Sequence, residues 1–233
     1  MRLIGVDGCK AGWLTATLDG SGALAFAIER SFADLLATAG DDALVVIDVP
    51  IGLTEREPRA CDVAARAYLR APRNSSVFPA PRRALLSAIT YAEACRLSRE
   101  ACDRAVSRQL FGILPKIREV DALMTPARQE RVREAHPEVS FAALAGTGAG
   151  LVHAKKTAAG EAERLALLGR LLPSFDPGAE RLRLGCGNVA RDDIVDAVAC
   201  LATACRINRG EALVLPPGPV PRDARGLRME IIA

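Results

Sequence analysis

The sequence predicts an α/β protein built on a mixed five-stranded sheet that helices flank. Three features carry this prediction: two apolar runs around a Gly-rich turn near the N-terminus, the β-branched run ALVVIDV (43–49), and a long helical pattern near the C-terminus. A continuous apolar run is typical of a strand buried on both faces, at the centre of a sheet reached by a helical crossover. With 233 residues, the chain is long enough to bury a substantial core.

Periodicity, glycine and proline place the individual elements. Two short apolar runs joined by a Gly-rich turn predict a hairpin, and Ser31 is a suitable N-cap for a helix that stops at Gly40. In chain order the predicted elements are strands Leu3–Val6, Trp13–Leu18 and Ala23–Ile28, helix Phe32–Ala39, strand Ala43–Val49, helices Arg59–Leu69, Arg83–Ala88, Ala92–Arg104 and Val106–Leu123 (interrupted at Pro115), strand Val132–Ala135 ended by Pro137, helices Gly160–Leu172 and Val189–Asn208, and the strand-like piece Ala212–Leu215.

This order of elements is the plan of the ribonuclease H-like fold, whose core is shared with the actin-like superfamily. The chain is predicted to form a single domain over residues 1–233. Within it, a helical insertion at about 54–128 follows the fourth strand. Composition does not change enough along the chain to indicate a free linker, and no internal repeat is present.

Composition excludes several classes of protein. A net charge of +3 confines any nucleic-acid affinity to a local patch. The seven cysteines form no C-x-x-C pair, which indicates free thiols and a cytoplasmic protein. His136 and His153 are the only histidines, which argues against zinc. Because a predicted strand begins at residue 3, no signal peptide is expected, and no apolar run reaches the ~18 residues of a membrane span.

Aspartates stand where a shared site would need them. Asp7 and Asp48 end two predicted strands, and Asp193 and Asp196 lie three residues apart in the last helix, on one helical face. If that helix packs over the strand ends, the four carboxylates converge and raise each other's pKa unless a cation compensates. Ligands that are all oxygen favour Mg²⁺ or Mn²⁺. A single strand-end aspartate, by contrast, is usually a turn residue.

The rest of this helix indicates how it packs. An apolar stripe is predicted to face the sheet and to leave the acids at the edge of the contact. Asp192, at the helix start, is interpreted as a cap or a dipole partner. The stripe consists of Ile194, Val198, Leu201 and Cys205.

Seven segments resemble the family called domain of unknown function 429, which is predicted to be a nuclease with the RNase H fold. They occur in the family's order, and the resemblance extends over most of residues 2–206. The segments are GVDGCKAGW (5–13), VIDVPIGL (46–53), RACDVAAR (59–66), SVFPAPRR (76–83), PKIREVD (115–121), EAHPEVSF (134–141) and RDDIVDA (191–197).

The resemblance implies a catalytic metal site. DxxDA in a last helix is similar to the Holliday-junction resolvases of the same fold, and by that similarity four residues would be metal ligands. Glu134 or Glu138, near the end of the fifth strand, could add a catalytic oxygen. The four implied ligands are Asp7, Asp48, Asp193 and Asp196.

Basic residues are candidates for substrate contacts, with a solvated basic loop as the alternative. The turn from Asp7 to Gly12 resembles a phosphate-cradling turn, which adds Lys10. Lys155 and Lys156 are interpreted as a solvated charge pair, or else as part of a loop over the site. His136, directly before a proline, is expected to be extended and structural. The remaining candidates for phosphate contacts are Arg70, Arg73, Arg82, Arg83 and Lys116.

Three functions remain open at this point. The first is a Mg²⁺- or Mn²⁺-dependent nuclease with a two-metal carboxylate site. The second is an actin-like nucleotide-binding phosphotransferase, although 233 residues leave little room for a duplicated half. The third is a non-catalytic binding protein that keeps the fold. The expected partner is a nucleic acid or nucleotide, with DNA or RNA undetermined, no membrane, and homo-oligomer formation left open.

Overall fold

A mixed five-stranded sheet forms the centre of the computed structural model, which describes residues Met1–Ala233. Its strands are β1 (Arg2–Cys9), β2 (Gly12–Leu18), β3 (Leu24–Glu29), β4 (Ala43–Ile47) and β5 (Val132–Glu134). Their order in the sheet is β3-β2-β1-β4-β5. β2 is antiparallel to both of its neighbours, whereas β1, β4 and β5 run parallel. The predicted mixed α/β sheet flanked by helices is confirmed.

Eight helices surround the sheet. Three of them lie between β4 and β5, where the sequence predicts a helical insertion, and none combines the length and hydrophobicity needed to cross a lipid bilayer. The helices are α1 (Phe32–Ala39), α2 (Ala60–Leu69), α3 (Tyr91–Cys102), α4 (Arg108–Leu123), α5 (Pro137–Ala145), α6 (Ala158–Leu168), α7 (Pro177–Leu184) and α8 (Arg191–Asn208).

Side chains alternate between the two faces of the sheet and so build two cores. Leu3 and Val46 belong to the core under α8, which also contains Phe141 of α5. Ile4 and Ile47 belong to the core on the opposite face, against α1 and α4. Each central strand therefore has apolar contacts on both sides, as its continuous apolar sequence predicts.

Helix α8 lies at the centre of its layer. Every residue from Ile194 to Cys205 is buried, because the helix packs on β1 and also contacts α5, α6 and α7. The predicted single apolar stripe is therefore too narrow. Small residues such as Ala197 and Ala204 allow neighbouring elements to approach on the remaining sides.

Proline accounts for two differences from the predicted elements. Pro137 follows β5, as predicted, but it also begins α5, a helix that the sequence did not predict. The fixed φ and the missing N–H of proline suit the first turn of a helix. Pro115 does not interrupt α4. It lies on the exposed side of the helix, where water can reach the carbonyl that loses its helical partner.

The remaining differences concern short segments. The segment predicted as helix 83–88 is a 3₁₀ turn, Arg83–Ser87, and helix α7 was not predicted. The strand-like piece near residue 212 is β6 (Val214–Leu215), which pairs antiparallel with β7 (Ile231–Ile232). This pairing joins segments that are separated by a proline-rich loop, so no local pattern predicts it. All seven cysteines are free, as predicted.

Candidate functional site

Asp7 and Asp48 lie side by side because β1 and β4 are parallel neighbours. The Asp48 N–H donates to the Val6 carbonyl at 3.1 Å. Asp7 lies four residues after Leu3, and Asp48 two residues after Val46, both of which face α8. By strand alternation the two carboxylates belong to the same face. The structure thus brings the two strand-end acids together beneath the last helix.

Gly5 allows α8 to rest directly on β1. A Cβ atom at this position would lie 2.1 Å from the Ala197 carbonyl oxygen and 2.1 Å from the Leu201 nitrogen. Only a residue without a side chain permits this approach. The close approach of the helix to β1 places Asp193 and Asp196, in the first two turns of α8, over the strand ends.

Asp7 is the acid most surrounded by other acids. Burial is the largest cause that raises its pKa well above the ordinary value, followed by the charges of Asp196, Asp48 and Asp193. Lys155 acts in the opposite direction. One Asp7 oxygen accepts the N–H of the next residue at 2.7 Å. The four aspartates implied as ligands are therefore electrostatic neighbours.

Besides the other acids, Asp48 has two basic residues nearby, His136 and Lys155. Burial raises its pKa and Glu138 adds to the rise, while His136 and Lys155 oppose it. His136 has the extended backbone that its proline neighbour predicts. Its Nε2 lies 3.3 Å from the Ser76 carbonyl oxygen, and its buried Nδ1 has no partner. This histidine therefore stands at the border of the acid cluster.

Asp196 is the most deeply buried member, with 6% of its surface exposed. One carboxylate oxygen contacts the Lys155 ammonium, and the other, Oδ1, is buried without any hydrogen-bond partner. Burial raises its pKa to about 7; the Lys155 charge opposes the rise, and Asp48 adds to it. A buried carboxylate oxygen without a donor is costly unless a ligand supplies one.

Asp193 has a second role as the cap of α8. Its Oδ2 accepts the Ala190 N–H at 2.8 Å. Burial raises its pKa and the Ala190 hydrogen bond opposes the rise. The capping role predicted for Asp192 therefore belongs to Asp193. Asp192 is exposed, with Oδ2 at 3.8 Å from the Lys155 Nζ.

Lys155 is a functional candidate that the sequence analysis interpreted as solvated. It lies in the loop between α5 and α6 and forms an ion pair with Asp196. Burial lowers its pKa, but the charges of Asp196, Asp192 and Asp7 outweigh burial and raise it overall. The sequence analysis allowed for this contact only through its alternative that Lys155 belongs to a loop over the site. No local pattern predicts the contact, because Lys155 and Asp196 are far apart in the sequence.

The acid cluster fits a hard divalent cation in its chemistry but is not arranged around one. All donors are carboxylate oxygens, which Mg²⁺ and Mn²⁺ prefer, and the free Asp196 Oδ1 could accept such a ligand. No three acidic, histidine or cysteine side chains are grouped closely enough to hold a metal ion. The Lys155 ammonium instead provides the one positive charge at Asp196.

Glu134 is not brought into the acid cluster. Both of its oxygens accept from the Arg59 guanidinium, at 2.7 and 2.8 Å, and Oε2 also accepts the Ile51 N–H at 2.7 Å. Burial raises the pKa of the carboxyl, while Arg59 opposes the rise. Because every contact is with a donor, we assign this carboxylate as ionised. Its role is to hold the segment after β4.

Glu138 lies between the acid cluster and a salt bridge of its own. Its two oxygens accept from Nη2 of Arg164 at 2.6 Å, and one of them also accepts from Nε at 3.0 Å. Its charge nevertheless raises the pKa of Asp48 and Asp196. The structure places it next to the aspartates, with both oxygens already engaged.

Two of the predicted phosphate-binding arginines are engaged elsewhere. Arg73 donates to the carbonyls of Leu151 and Val152 at 2.9 and 2.7 Å. Arg83 donates to both oxygens of Asp121 at 3.0 Å. A second acid, in the C-terminal tail, also accepts from Arg83. These arginines tie loops together rather than line one patch.

The other predicted basic contacts are also dispersed. Lys116 donates to the Gly12 carbonyl at 2.6 Å and lies 4.3 Å from the Trp13 ring centroid. Lys10 is exposed in the turn after β1. Arg82 is buried and donates its Nε to a backbone carbonyl at 2.6 Å. The structure does not gather these residues into the predicted phosphate-contacting patch.

A basic cleft that sequence reasoning missed lies beside the acid cluster. It has a volume of about 490 Å³. Lys155 forms its border with the cluster, and Lys156 is exposed within it. The remaining lining residues are Thr157, Ala158, Glu161, Arg164, Arg191, Asp192 and Val195.

The chain matches the family described as "Protein of unknown function (DUF429)" over residues 5–220. It therefore belongs to this family. No curated protein and no solved structure matches it.

Proposed function

We propose that this DUF429 protein is a Mg²⁺- or Mn²⁺-dependent hydrolase of phosphodiester bonds, built on a ribonuclease H-like fold. One observation carries the proposal: two strand ends and one helix bring four aspartates together, and only one of them, Asp196, has an ion-paired lysine, Lys155. Perturbed acids of this kind cluster at functional sites. A site that binds cations uses such an excess of negative charge.

The topology supports the ribonuclease H-like assignment. An antiparallel β1-β2-β3 meander is followed by parallel β4 and β5, and the long α8 covers the central strands. The acids come from β1, from the end of β4 and from α8, in the chain order that the family resemblance implies.

Asp7, Asp48, Asp193 and Asp196 would hold the cation. When bound, divalent ions lower the pKa of an attacking water and stabilise the leaving oxygen. Asp193 can serve as a ligand with the oxygen that does not cap α8. Asp196 presents an oxygen without a partner. Lys155 competes with any cation at Asp196, so it would leave this carboxylate and face the substrate phosphate.

The basic cleft is where we place the substrate phosphates. Lys155 borders both the cleft and the acids. The exposed Lys156 has no acidic partner in the structure, so its charge is available. Helix α6, which is 11 residues long, begins at this cleft and directs its positive end towards it. A cleft of this size suits a short nucleic-acid segment or a nucleotide.

The decisive experiment is cleavage of labelled single-stranded, duplex and branched DNA and RNA in Mn²⁺. We expect cleavage by the wild type and loss of roughly a thousandfold in the Asp7→Asn/Asp193→Asn variant, since several kcal/mol of charge stabilisation disappear. Asparagine can still cap a helix, so folding should persist. Asp42→Asn, an exposed acid outside the cluster, is the matched control. Equal cleavage by the double variant would overturn the proposal.

A non-catalytic nucleic-acid or nucleotide-binding protein is the second candidate. The ion pair of Lys155 with Asp196, and the lack of a three-ligand arrangement, favour it. This candidate predicts binding that is insensitive to EDTA and no cleavage of any substrate. Lys156→Gln should then weaken binding, whereas Asp7→Asn should leave it unchanged or strengthen it.

A further inference from the structure

The chain buries three arginines, and one of them lacks an acidic partner. Arg59 and Arg164 each form a salt bridge with a buried glutamate. Arg82, with 8% of its surface exposed, contacts no carboxylate. A buried guanidinium without a counter-charge is unfavourable unless something else supplies the charge.

The hydrogen bonds of Arg82 leave its outer edge free. Nε donates to the Arg56 carbonyl at 2.6 Å, and Nη1 lies 3.5 Å from the Ala80 carbonyl oxygen. The second contact is at the limit of a hydrogen bond, and Nη2 donates to no protein atom. The two terminal nitrogens therefore present the edge of the guanidinium that grips an oxyanion with two parallel bonds.

Arg82 lines a cavity of about 610 Å³ in the helical block between β4 and β5. This volume is within the usual range for small-molecule sites. Its walls come from the segments 56–58 and 78–82 and from the connection between α3 and α4. It shares no residue with the acid cluster or the basic cleft. The larger apolar side chains of the wall include Phe78, Pro79, Pro81, Leu85, Val106 and Leu110.

The charges around this cavity suit a ligand with about one negative charge. Arg56 and Arg104, both exposed and without an acidic partner, join Arg82, while Glu57 and Asp103 oppose them. The excess is one positive charge. The start of α4, a helix of 16 residues, also reaches the wall and adds the positive end of its dipole.

We propose that this cavity, independently of the hydrolase function, binds a small organic monoanion whose carboxylate or phosphate group contacts Arg82. The apolar body of the ligand lies against Phe78, which is 51% exposed, and against the prolines beside it. The absence of a protein carboxylate at Arg82 is then explained, because the ligand supplies the counter-charge. The basic, proline-rich loop forms this site instead of a nucleic-acid patch.

The test uses the full chain and the fluorescent aromatic sulfonate 8-anilinonaphthalene-1-sulfonate as the probe. We expect one saturable site in the wild type and an affinity at least about tenfold lower in Arg82→Gln, as for a lost charge-assisted hydrogen bond. Arg170→Gln, an exposed arginine outside the cavity, should bind as the wild type does. Equal affinity in a folded Arg82→Gln variant, or no saturable binding by the wild type, would overturn the proposal.

Competition identifies the anionic group. Displacement by benzoate supports a carboxylate ligand, and displacement by methyl phenyl phosphate, a diester with one negative charge, supports a phosphate ligand. Equal displacement by uncharged benzyl alcohol would show an apolar cavity only and would overturn the proposal. If Arg82→Gln does not fold, the exposed Arg104→Gln and Phe78→Ser variants decide: weaker probe binding in both supports the site, and unchanged binding in both contradicts it.

Discussion

Buried carboxylates occur in two different electrostatic settings on the same side of the molecule. Glu134 and Glu138 each have an arginine of their own, held through two or three hydrogen bonds. The four aspartates at the strand ends and on α8 have no arginine partner, and the only ion pair among them joins Asp196 to Lys155. Burial raises the pKa of each of them, as it does for Glu134.

Under the proposed function, this difference separates charge that holds the fold together from charge that binds a ligand. The chain supplies buried arginines where an acid only has to hold two segments together, as Glu134 does with Arg59. It supplies too little positive charge at the aspartates, at a cost to stability that folding does not require. Such a local conflict is typical of a site that is completed by a ligand.

Breaking a buried pair should have the largest effect. Arg59→Met leaves Glu134 buried without a counter-charge and should lower the free energy of unfolding by about 3–5 kcal/mol, measured by urea denaturation. Lys155→Met, made at the half-exposed lysine of the acid cluster, should cost far less. A similar loss in both variants would remove the distinction between the two settings. Arg59→Met/Glu134→Leu should recover much of the loss.

The pH dependence of stability should report on Asp196. The pKa of Asp196 rises from 3.8 to about 7 on folding, so the folded state binds its proton more tightly. This contribution is complete below pH ~4 and is lost as the pH rises to about 7, with an upper limit of about 4 kcal/mol. Urea denaturation with EDTA should therefore show a smaller loss of stability over this range in Asp196→Asn than in the wild type. Parallel curves would contradict the raised pKa.

Divalent cations should stabilise the folded protein, and only through binding at the acid cluster. At a Mn²⁺ concentration one hundred times the dissociation constant, the folded state gains about 2.7 kcal/mol, visible as a higher melting temperature that EDTA reverses. Asp7→Asn should abolish the shift. Lys155→Met should bind Mn²⁺ more tightly because the competing ammonium is gone. An equal shift in Asp7→Asn would place the cation elsewhere, and Asp42→Asn is the control.

Gly5→Ala should act on the acid cluster indirectly, through the position of α8. Its Cβ would collide with the backbone of α8, which predicts a loss of about 1–3 kcal/mol from overpacking. The displaced helix should also weaken Mn²⁺ binding. Gly20→Ala, where a Cβ meets nothing within 4 Å, is the matched control. Unchanged Mn²⁺ affinity in Gly5→Ala would show that the helix position does not matter.

Much of the sheet could be predicted from local pattern. The apolar run that contains Val45 and Val46 predicted a central strand. Ser31 predicted the start of α1, and its hydroxyl accepts the Asp34 N–H at 3.1 Å. Helix α5 was missed because Pro137 is equally compatible with the end of a strand and the first turn of a helix. The β6–β7 pair was missed because pairing between distant segments leaves no local trace.

The sequence by itself determined which acids could meet. Strand alternation and helical spacing assign Asp7, Asp48, Asp193 and Asp196 to faces that packing can bring together. Only the tertiary structure decided which charged groups accompany them: Lys155 at Asp196, Arg59 at Glu134 and an unpartnered Arg82 at a separate cavity. The physical reason is the sequence separation over which each of these features acts. Periodicity acts within a few residues, whereas an ion pair depends on the position in space of segments that lie far apart in the chain.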